Sequence, residues 1–401
     1  MRKKIVLRIM RITKSLITLS SVFIIICFSS CGHKALEIGT IVPDFNNVVT
    51  INVPEDDIIS LETSTESLLY DICGMYIEGG NFYIQSRNHL RVFDSQGKYV
   101  KDISSRGHGE GEYQRISNFF VKEGNVFIYD FDSQSLFRYG LDGSFVSRIR
   151  LSNIDLNEMT PPSALFPCGK GWVSVNCYGG DRSIPTLSMW DEDLQVSKAV
   201  KGRFLKSGTS FYDKVFVSED SCILYWEPLC DTVFEIRDDT LYPLYKIDFG
   251  EKALPKNIAV KTIDERLSHL ASHPEITFYG MARWYQRCDG NLYFSFMGPE
   301  KRVFLCRYNE TNGDTQVFNI TTSLGKYRVQ PFFHIDGRQL IMEAHDEDEE
   351  SVNPSLLIIR LEDLENGFTG DPNHYCASWM VDLFDLCTFI GGANSVGGYE
   401  I

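Results

Sequence analysis

A glycine-rich loop holds the residues of this chain that are best suited to bind a ligand. From Arg106 to Tyr113 a glycine stands at every second position. Glycines at this spacing permit positive φ values and a close approach of the backbone to a bound molecule. The side chains around them are charged or carry a ring, and they are Arg106, His108, Glu110, Glu112 and Tyr113. These five residues are therefore our candidates for ligand binding.

A structural role is the alternative for the same loop. It would then be a crossover between two repeats, with Glu112 and Tyr113 hydrogen-bonded to the backbone, and we favour this interpretation. The loop lacks the strand-to-helix setting of a phosphate-binding loop, because residues 116–120 read as the next strand.

Trp284 and Tyr285 form a second candidate contact surface. Two adjacent aromatic side chains before a strand could stack on a sugar ring, and they could equally pack between sheets. We favour packing and retain both residues as candidate ligand contacts.

Catalytic signatures are missing from the sequence. It contains no G-x-S-x-G elbow and no HExxH motif. The eleven cysteines have irregular spacings, without a C-x-x-C pair or a zinc-type Cys/His cluster. We predict no catalytic residue and no cofactor. A divalent cation in a central channel remains open, because ligands drawn from several repeats would leave no local signal.

The elements that must position these residues recur along the chain. Each copy begins with a turn that is usually rich in glycine and continues with an apolar strand, and the copies start near residues 80, 124, 171, 221, 290 and 337. Alternating apolar and polar runs separated by Gly, Asn and Asp are typical of short antiparallel strands. Six four-stranded units predict an all-β fold, the six-bladed β-propeller.

Two segments depart from the repeat. Residues 257–272 carry apolar side chains at helical spacing, which predicts one helical insertion at an end of the ring. Residues 48–59 alternate in polarity, and we expect them to close the ring by pairing with the last blade.

The first thirty residues have the features of an export signal. Basic residues precede an apolar run from Leu16 to Phe28, and Ser29-Ser30-Cys31-Gly32 follows. These residues resemble a bacterial lipobox, although Phe28 stands where leucine is usual. The resemblance implies that Cys31 carries acyl chains, palmitate among them, that anchor the protein to a membrane. The predicted order is signal peptide 1–30, lipid-anchored linker 31–47, propeller 48–361 and an unassigned tail 362–401.

Net charge narrows the range of partners. The chain carries −15 at neutral pH, and residues 1–30 contain none of its acidic groups. Such an acidic protein is a poor ligand for nucleic acid or for anionic lipid. We expect a monomer that binds a protein, peptide or glycan. The residues after Cys31 lack an acidic run, which favours the periplasmic face of the outer membrane.

Four phrases carry a resemblance to a known family. They are Ile59–Thr63, Val92–Tyr99 with Ser105–Tyr113, Cys230–Ile236 with Leu244–Gly250, and Val352–Ile358. They resemble the six-bladed β-propeller lipoproteins of Gram-negative cell envelopes, relatives of the NHL-repeat propellers. That family usually has proline where Glu110 stands. The resemblance implies a fold and an envelope location, but no defined activity.

Two functions fit these observations. The first is a non-catalytic envelope protein whose propeller face binds a peptide, glycan or partner protein. The alternative is a metal-dependent hydrolase or lyase, similar in fold to gluconolactonases, with a channel-bound cation. The fold hosts both, so it does not choose between them.

Overall fold

The computed structural model describes residues 38–151, 162–176, 187–195, 197–201, 218–219, 222–226, 230–237, 239–259, 263–273, 276, 278–299, 302–323, 325–348 and 352–366. The predicted signal peptide, Cys31 and most of the predicted tail lie outside these residues. Two units divide the chain, Met1–Thr40 and Ile41–Ile401. Only residues 38–40 of the first unit are described, and the described residues of the second unit form the propeller.

Three short strands come first, and three blades follow. The opening strands are β1 (Gly39–Ile41), β2 (Val48–Val53) and β3 (Ile58–Ser60). Blade 1 contains β4 (Gly74–Glu78), β5 (Asn81–Ser86), β6 (His89–Phe93) and β7 (Tyr99–Asp102). Blade 2 contains β8 (Ile116–Lys122), β9 (Asn125–Asp130), β10 (Ser135–Gly140) and β11 (Phe145–Arg150). Blade 3 contains β12 (Pro162–Cys168), β13 (Gly171–Asn176), β14 (Leu187–Trp190) and β15 (Ser197–Ala199).

The remaining strands form three further blades. Blade 4 contains β16 (Ser218–Glu219), β17 (Cys222–Trp226), β18 (Thr232–Arg237) and β19 (Thr240–Ile247). Blade 5 contains β20 (Gly280–Cys288), β21 (Asn291–Met297), β22 (Val303–Asn309) and β23 (Thr315–Thr322). Blade 6 contains β24 (Tyr327–Asp336), β25 (Gln339–Asp346) and β26 (Ser355–Arg360), with β3 as its fourth strand. The predicted six-bladed propeller is confirmed.

The predicted starting points of the repeats mark one strand of each blade. They fall at or next to the beginning of the second strand, from β5 in blade 1 to β25 in blade 6. Where the structure describes it, the turn before this strand has two residues, and φ is positive at both residues in Gly79-Gly80, Glu123-Gly124 and Asp289-Gly290. Such turns match the right-handed twist of a β-hairpin. The glycines that recur in the sequence therefore have a conformational cause.

The core lies between the blades. Buried apolar residues of the described chain form six clusters, and each cluster draws on two neighbouring blades. The largest fully buried side chains are aromatic, among them Trp226, Tyr293 and Phe318. Flat rings fill the wedge between twisted sheets. The first strands of neighbouring blades lie close together, as β24 and β4 do, and as β4 and β8 do. The first strands therefore surround the central axis.

Residues 41–60, which we name the N-terminal strap, cover the outer edges of blades 4 to 6. The Asp248 N–H donates to the Ile41 carbonyl oxygen over 2.8 Å. β2 pairs in parallel with β23 of blade 5, and β3 pairs antiparallel with β26 of blade 6. The expected ring closure by the last blade is therefore right for β3 and wrong for β2. β2 stays on blade 5 because Ile51 and Val53 enter the apolar cluster between blades 5 and 6.

Helices are few in the described residues. The predicted helical insertion contains α1 (Lys256–Ala259) and α2 (Ile263–Ser272), both between blades 4 and 5. α3 (Leu361–Asn366) follows the last strand. Among the described residues no helix combines the length and the hydrophobicity that crossing a bilayer requires.

Asp57 makes the stability of the fold depend on pH. It ends a 3-10 turn, Glu55–Asp57, between β2 and β3. Burial raises its pKa from 3.8 to about 6; Arg360 opposes the rise, and the carboxylates of Asp363 and Asp56 add to it. Because the folded-state pKa exceeds the unfolded value, ionised Asp57 destabilises the fold above pH 6, and this cost disappears as the pH falls from 6 towards 4.

We therefore expect Asp57→Asn to stabilise the protein at neutral pH. The free energy of unfolding should rise by about 1–2 kcal/mol at pH 7.5, after discounting for partial exposure, and by almost nothing at pH 4. Denaturant titrations of both proteins across this range measure the difference. Glu55→Gln, which removes an exposed carboxylate from the same turn, is the control. A gain that grows as the pH falls would contradict the assignment.

Candidate functional site

The two ends of the propeller ring differ in the length of their connections. In the five blades where the structure describes this connection, two residues join the first and second strands, as at 79–80 and 169–170. At the opposite end, where each first strand begins, longer connections join one blade to the next. Of these, 61–73 and 103–115 are described throughout and 248–279 in part. We name this end the loop face. Long loops on a rigid scaffold commonly carry binding residues.

Glu112 occupies the interior of the glycine-rich loop. Its carboxylate accepts a hydrogen bond from the Gly109 N–H over 2.8 Å and a longer one from the Ser105 hydroxyl over 3.4 Å. A Cβ atom on Gly107 would overlap this carboxylate. Gly111 has a φ of +78°, and a Cβ atom there would collide with the ring of Phe145. The alternating glycines therefore make room for neighbouring side chains.

Tyr113 ties the loop to blade 1. Its hydroxyl donates to the Asn88 carbonyl oxygen over 3.1 Å, and its own carbonyl oxygen accepts from the Gly107 N–H over 2.9 Å. Burial, followed by the charge of Asp102, raises the pKa of Tyr113 above its usual range. Tyr139 of blade 2 adds a hydrogen bond to the Gly111 carbonyl oxygen at 2.9 Å. Glu112 and Tyr113 thus bond to the backbone, as the structural interpretation of the loop expects.

The other three predicted loop residues are exposed. Arg106, His108 and Glu110 all direct their side chains to solvent. The His108 Nδ1 atom lies 3.3 Å from the Gln114 side-chain nitrogen. The loop therefore presents a cation, an imidazole and a carboxylate on a backbone that Glu112 holds in place.

An exposed aromatic ring and an arginine also lie together on the loop face. Tyr70 comes from the connection before blade 1, and its side chain is 55% exposed. The guanidinium of Arg87 lies 3.7 Å from the centre of its ring. Arg87 is in the turn next to Asn88, the residue that Tyr113 contacts. This exposed pair has the stacking geometry of a cation–π interaction, and sequence reasoning missed it because the two residues are far apart along the chain.

Trp284 and Tyr285 pack between blades. Tyr285 is 3% exposed, and burial raises its pKa well above the usual value. The ring of Trp284 meets that of Phe332 edge to face, with centroids 4.6 Å apart. The structure does not bring this pair together with the loop residues, which belong to the connection between blades 1 and 2.

Titratable groups also line the inner strands of blades 6 and 1. His334 on β24 lies 5.7 Å from the ring of Tyr76 on β4. Burial lowers the pKa of His334 to about 4, so the imidazole is neutral at pH 7. Two residues further along each strand stand Asp336 and Glu78, and burial together with Glu78 raises the pKa of Asp336. Within the described ranges, no three His, Cys, Asp or Glu side chains come together as a metal-binding group.

Two side-chain amides join neighbouring blades at the inner strands. Asn118 on β8 donates to the Leu165 carbonyl oxygen over 2.7 Å and accepts from the Leu165 N–H over 3.0 Å. Gln286 on β20 makes the same pair of bonds to Ile335, at 2.7 and 2.8 Å. Sequence reasoning missed both. The available signal was an amide at an otherwise apolar strand position.

The roles of Gly107 and Glu112 can be separated by mutation. Gly107→Ala should expel the Glu112 carboxylate from the loop and lower the free energy of unfolding by about 1–2 kcal/mol. Glu112→Ala should cost about 1 kcal/mol because it removes a charge-assisted hydrogen bond. The double variant should be no less stable than Glu112→Ala, since the new methyl group then has space. Chemical denaturation measures all three, and additive losses would refute the proposed packing.

Comparison with known proteins places the chain in a family. A family model described as Domain of unknown function (DUF4934) matches residues 55–357. No curated protein matches the chain in sequence. A Bacteroides fragilis protein described as exported has a similar structure, with 15% identity, a TM-score of 0.58 and coverage of 80% of this chain and 99% of that chain. A DUF4221 family member from Bacteroides vulgatus has 11% identity and a TM-score of 0.50, over 78% of this chain and 98% of that chain. These likenesses show the fold alone.

Proposed function

We propose that this chain, which belongs to the family described as Domain of unknown function (DUF4934), is a non-catalytic envelope protein. Its loop face binds a peptide, glycan or partner protein. The observation that carries the proposal is the contrast within one loop. Glu112 and Tyr113 hold the backbone, while Arg106, His108 and Glu110 remain exposed. A backbone held in one conformation loses little entropy when a ligand binds.

The chemistry of the exposed groups favours a ligand with charges of both signs. Arg106 can pair with a carboxylate, Glu110 with an amine, and His108 can donate or accept a hydrogen bond. The exposed ring of Tyr70, with Arg87 above it, adds an apolar surface on the same face. A peptide segment offers all these groups, so it is the ligand class that the loop face fits best.

A matched pair of variants tests this proposal. Arg106→Gln/Glu110→Gln removes one charge of each sign from the loop, and Lys170→Gln/Glu123→Gln does the same at the opposite end of the ring. Both are compared with the unchanged protein for binding to peptide libraries and glycan arrays. We expect the first variant to lose about tenfold or more in affinity for any selected ligand, and the second to bind normally. Equal binding by all three proteins would overturn the proposal.

The metal-dependent alternative requires ligands from the inner strands. Glu78, His334 and Asp336 are the carboxylate and imidazole side chains described there between blades 6 and 1. The amides of Asn118 and Gln286 already bond to neighbouring backbone. Elemental analysis of the purified protein decides the matter. One tightly held cation per chain would favour a hydrolase or lyase, and a metal content far below one would favour the binding role.

We also propose that Cys31 anchors the protein to the outer membrane, facing the periplasm. The support is the lipobox-like sequence from Phe28 to Gly32, together with a fold similar to that of an exported protein. Metabolic labelling with a palmitate analogue tests the anchor. The unchanged protein should be labelled and sediment with membranes, whereas Cys31→Ser should show neither property. An unlabelled parent protein would contradict the assignment.

A further inference from the structure

We propose that β11, the outermost strand of blade 2, is a docking edge for an extended segment of a partner protein with acidic side chains. Gly111 of the glycine-rich loop lies against Phe145 at the start of β11, but the inference does not rest on the role of Arg106, His108 or Glu110. It follows from a comparison with blade 5, where another strand of this chain covers the corresponding outer edge.

Blade 5 shows how such an edge is covered. β2 adds to the outer side of β23 in parallel, with paired residues running from Val48 and Val317 to Val53 and Thr322. Under this cover Val317 and Phe318 are fully buried. The propeller therefore already binds a six-residue strand by edge pairing. Peptide recognition by strand addition uses the same main-chain hydrogen bonds.

Blade 2 lacks a corresponding cover among the described residues. β11 is the last strand of its sheet, and none of its six residues is buried. Phe145 is 36% exposed and Val146 is 50% exposed. An open edge strand is a template for pairing with another chain, and proteins usually protect such edges.

The outer strands of blades 1 and 3 are shorter than β11, and other parts of the chain contact them or the residues next to them. In blade 1, the backbone N–H of Tyr99 donates to the Glu62 carboxylate over 3.2 Å, and Gly97 lies against the Ser60 carbonyl oxygen. In blade 3, β15 has three residues, and the chain just beyond it pairs at Lys201 with the edge of blade 4. β11 is thus the longest uncovered outer strand that the structure describes.

The exposed side chains of β11 define the partner. Val146, Arg148 and Arg150 alternate along one side of the strand, and all three are exposed. The Arg148 guanidinium is held by a hydrogen bond to the Ser135 hydroxyl at 3.0 Å and lies over the ring of Phe137. Two arginines on one strand stand out in a chain of net charge −15. Residues of opposite charge attract each other when they are directly paired on neighbouring strands. A partner strand that pairs in parallel with β11 therefore needs an apolar residue opposite Val146 and acidic residues opposite Arg148 and Arg150, at alternate positions.

Binding of a synthetic peptide tests the inference. The probe is a capped peptide with the core Val-Thr-Glu-Thr-Glu-Thr, and its control has lysine in place of glutamate. General attraction to an acidic protein would favour the lysine peptide, so preference for the glutamate peptide reports a local site. Fluorescence anisotropy measures affinity, and hydrogen exchange locates the site. We expect slower exchange in residues 145–150.

Charge reversal separates this site from the rest of the surface. Arg148→Glu/Arg150→Glu should weaken binding of the glutamate peptide about tenfold or more. Lys170→Glu/Lys256→Glu makes the same change in net charge at other exposed positions and should leave the affinity within about twofold. Arg106→Gln/Glu110→Gln should also bind normally, so failure at the loop and failure at β11 are distinguishable. No binding, binding without protection of β11, or binding that survives reversal of both arginines would overturn the inference.

Discussion

Replacing Ile51 by aspartate is expected to lower the free energy of unfolding by more than about 4 kcal/mol, because it places a carboxylate in an apolar core without a partner. Ile51 is 2% exposed and belongs to the cluster between blades 5 and 6. Its strand, β2, lies at the outer edge of the ring, a position where most substitutions are tolerated. The size of the loss measures how firmly the N-terminal strap belongs to the propeller core.

The neighbouring residue supplies the control. Asn52 is exposed on the same strand, so Asn52→Asp introduces the same side chain and should change stability by less than about 0.5 kcal/mol. If Ile51→Asp does not fold, Ile51→Ala should still fold, with a loss of about 2–5 kcal/mol. Denaturant titration, monitored by tryptophan fluorescence, measures the free energy of unfolding of each variant. Losses near zero for both Ile51 variants would show that the strap does not pack into the core between blades 5 and 6.

The second large effect is expected at the inter-blade amides. Asn118→Leu should lower the free energy of unfolding by about 2–4 kcal/mol, because the Leu165 N–H and carbonyl oxygen both lose their partner. Gln286→Leu should cost a similar amount through Ile335. The two amides join different pairs of blades, so the losses should add within about 0.5 kcal/mol in the double variant.

Asn52→Leu is the matched control for these substitutions. It exchanges an exposed strand amide for leucine, and it should be almost neutral. Equal stability of Asn118→Leu and Asn52→Leu in denaturant titrations would mean that the amide does not link blades 2 and 3. A loss confined to Asn118→Leu would show that its hydrogen bonds to Leu165 stabilise the contact between these blades.

The number of blades could be predicted from the sequence because the residues that mark each blade are close together along the chain. Each hairpin turn needs residues that accept positive φ, so glycines recur before the second strand of most blades, as at Gly80 and Gly124. The alternative role of the glycine-rich loop could also be anticipated, because Glu112 bonds within three residues of itself. Interactions of this kind depend on a short stretch of chain, so its sequence is enough to predict them.

The remaining features depend on distant residues. β2 pairs with a strand some 270 residues away, as the bond from Thr321 to Ile51 shows. Asn118 meets a partner 47 residues further along, and Gln286 one 49 residues further along. Periodicity showed that residues 48–59 form strands, but it contained no information on which blade would receive each strand. The exposed pair of Tyr70 and Arg87 was missed for the same reason.

Site-specific photo-crosslinking in the native envelope tests the proposed binding role of the loop face most directly. A photoreactive residue replaces the exposed Ser105, next to Arg106, in one protein and Lys170, at the opposite end of the ring, in another. We expect a discrete adduct with a peptide, glycan or protein from position 105, and none from position 170. We also expect Arg106→Gln/Glu110→Gln to reduce the yield of the adduct strongly. Adducts of equal yield from both positions, or none from position 105, would contradict the assignment of the loop face as the binding surface.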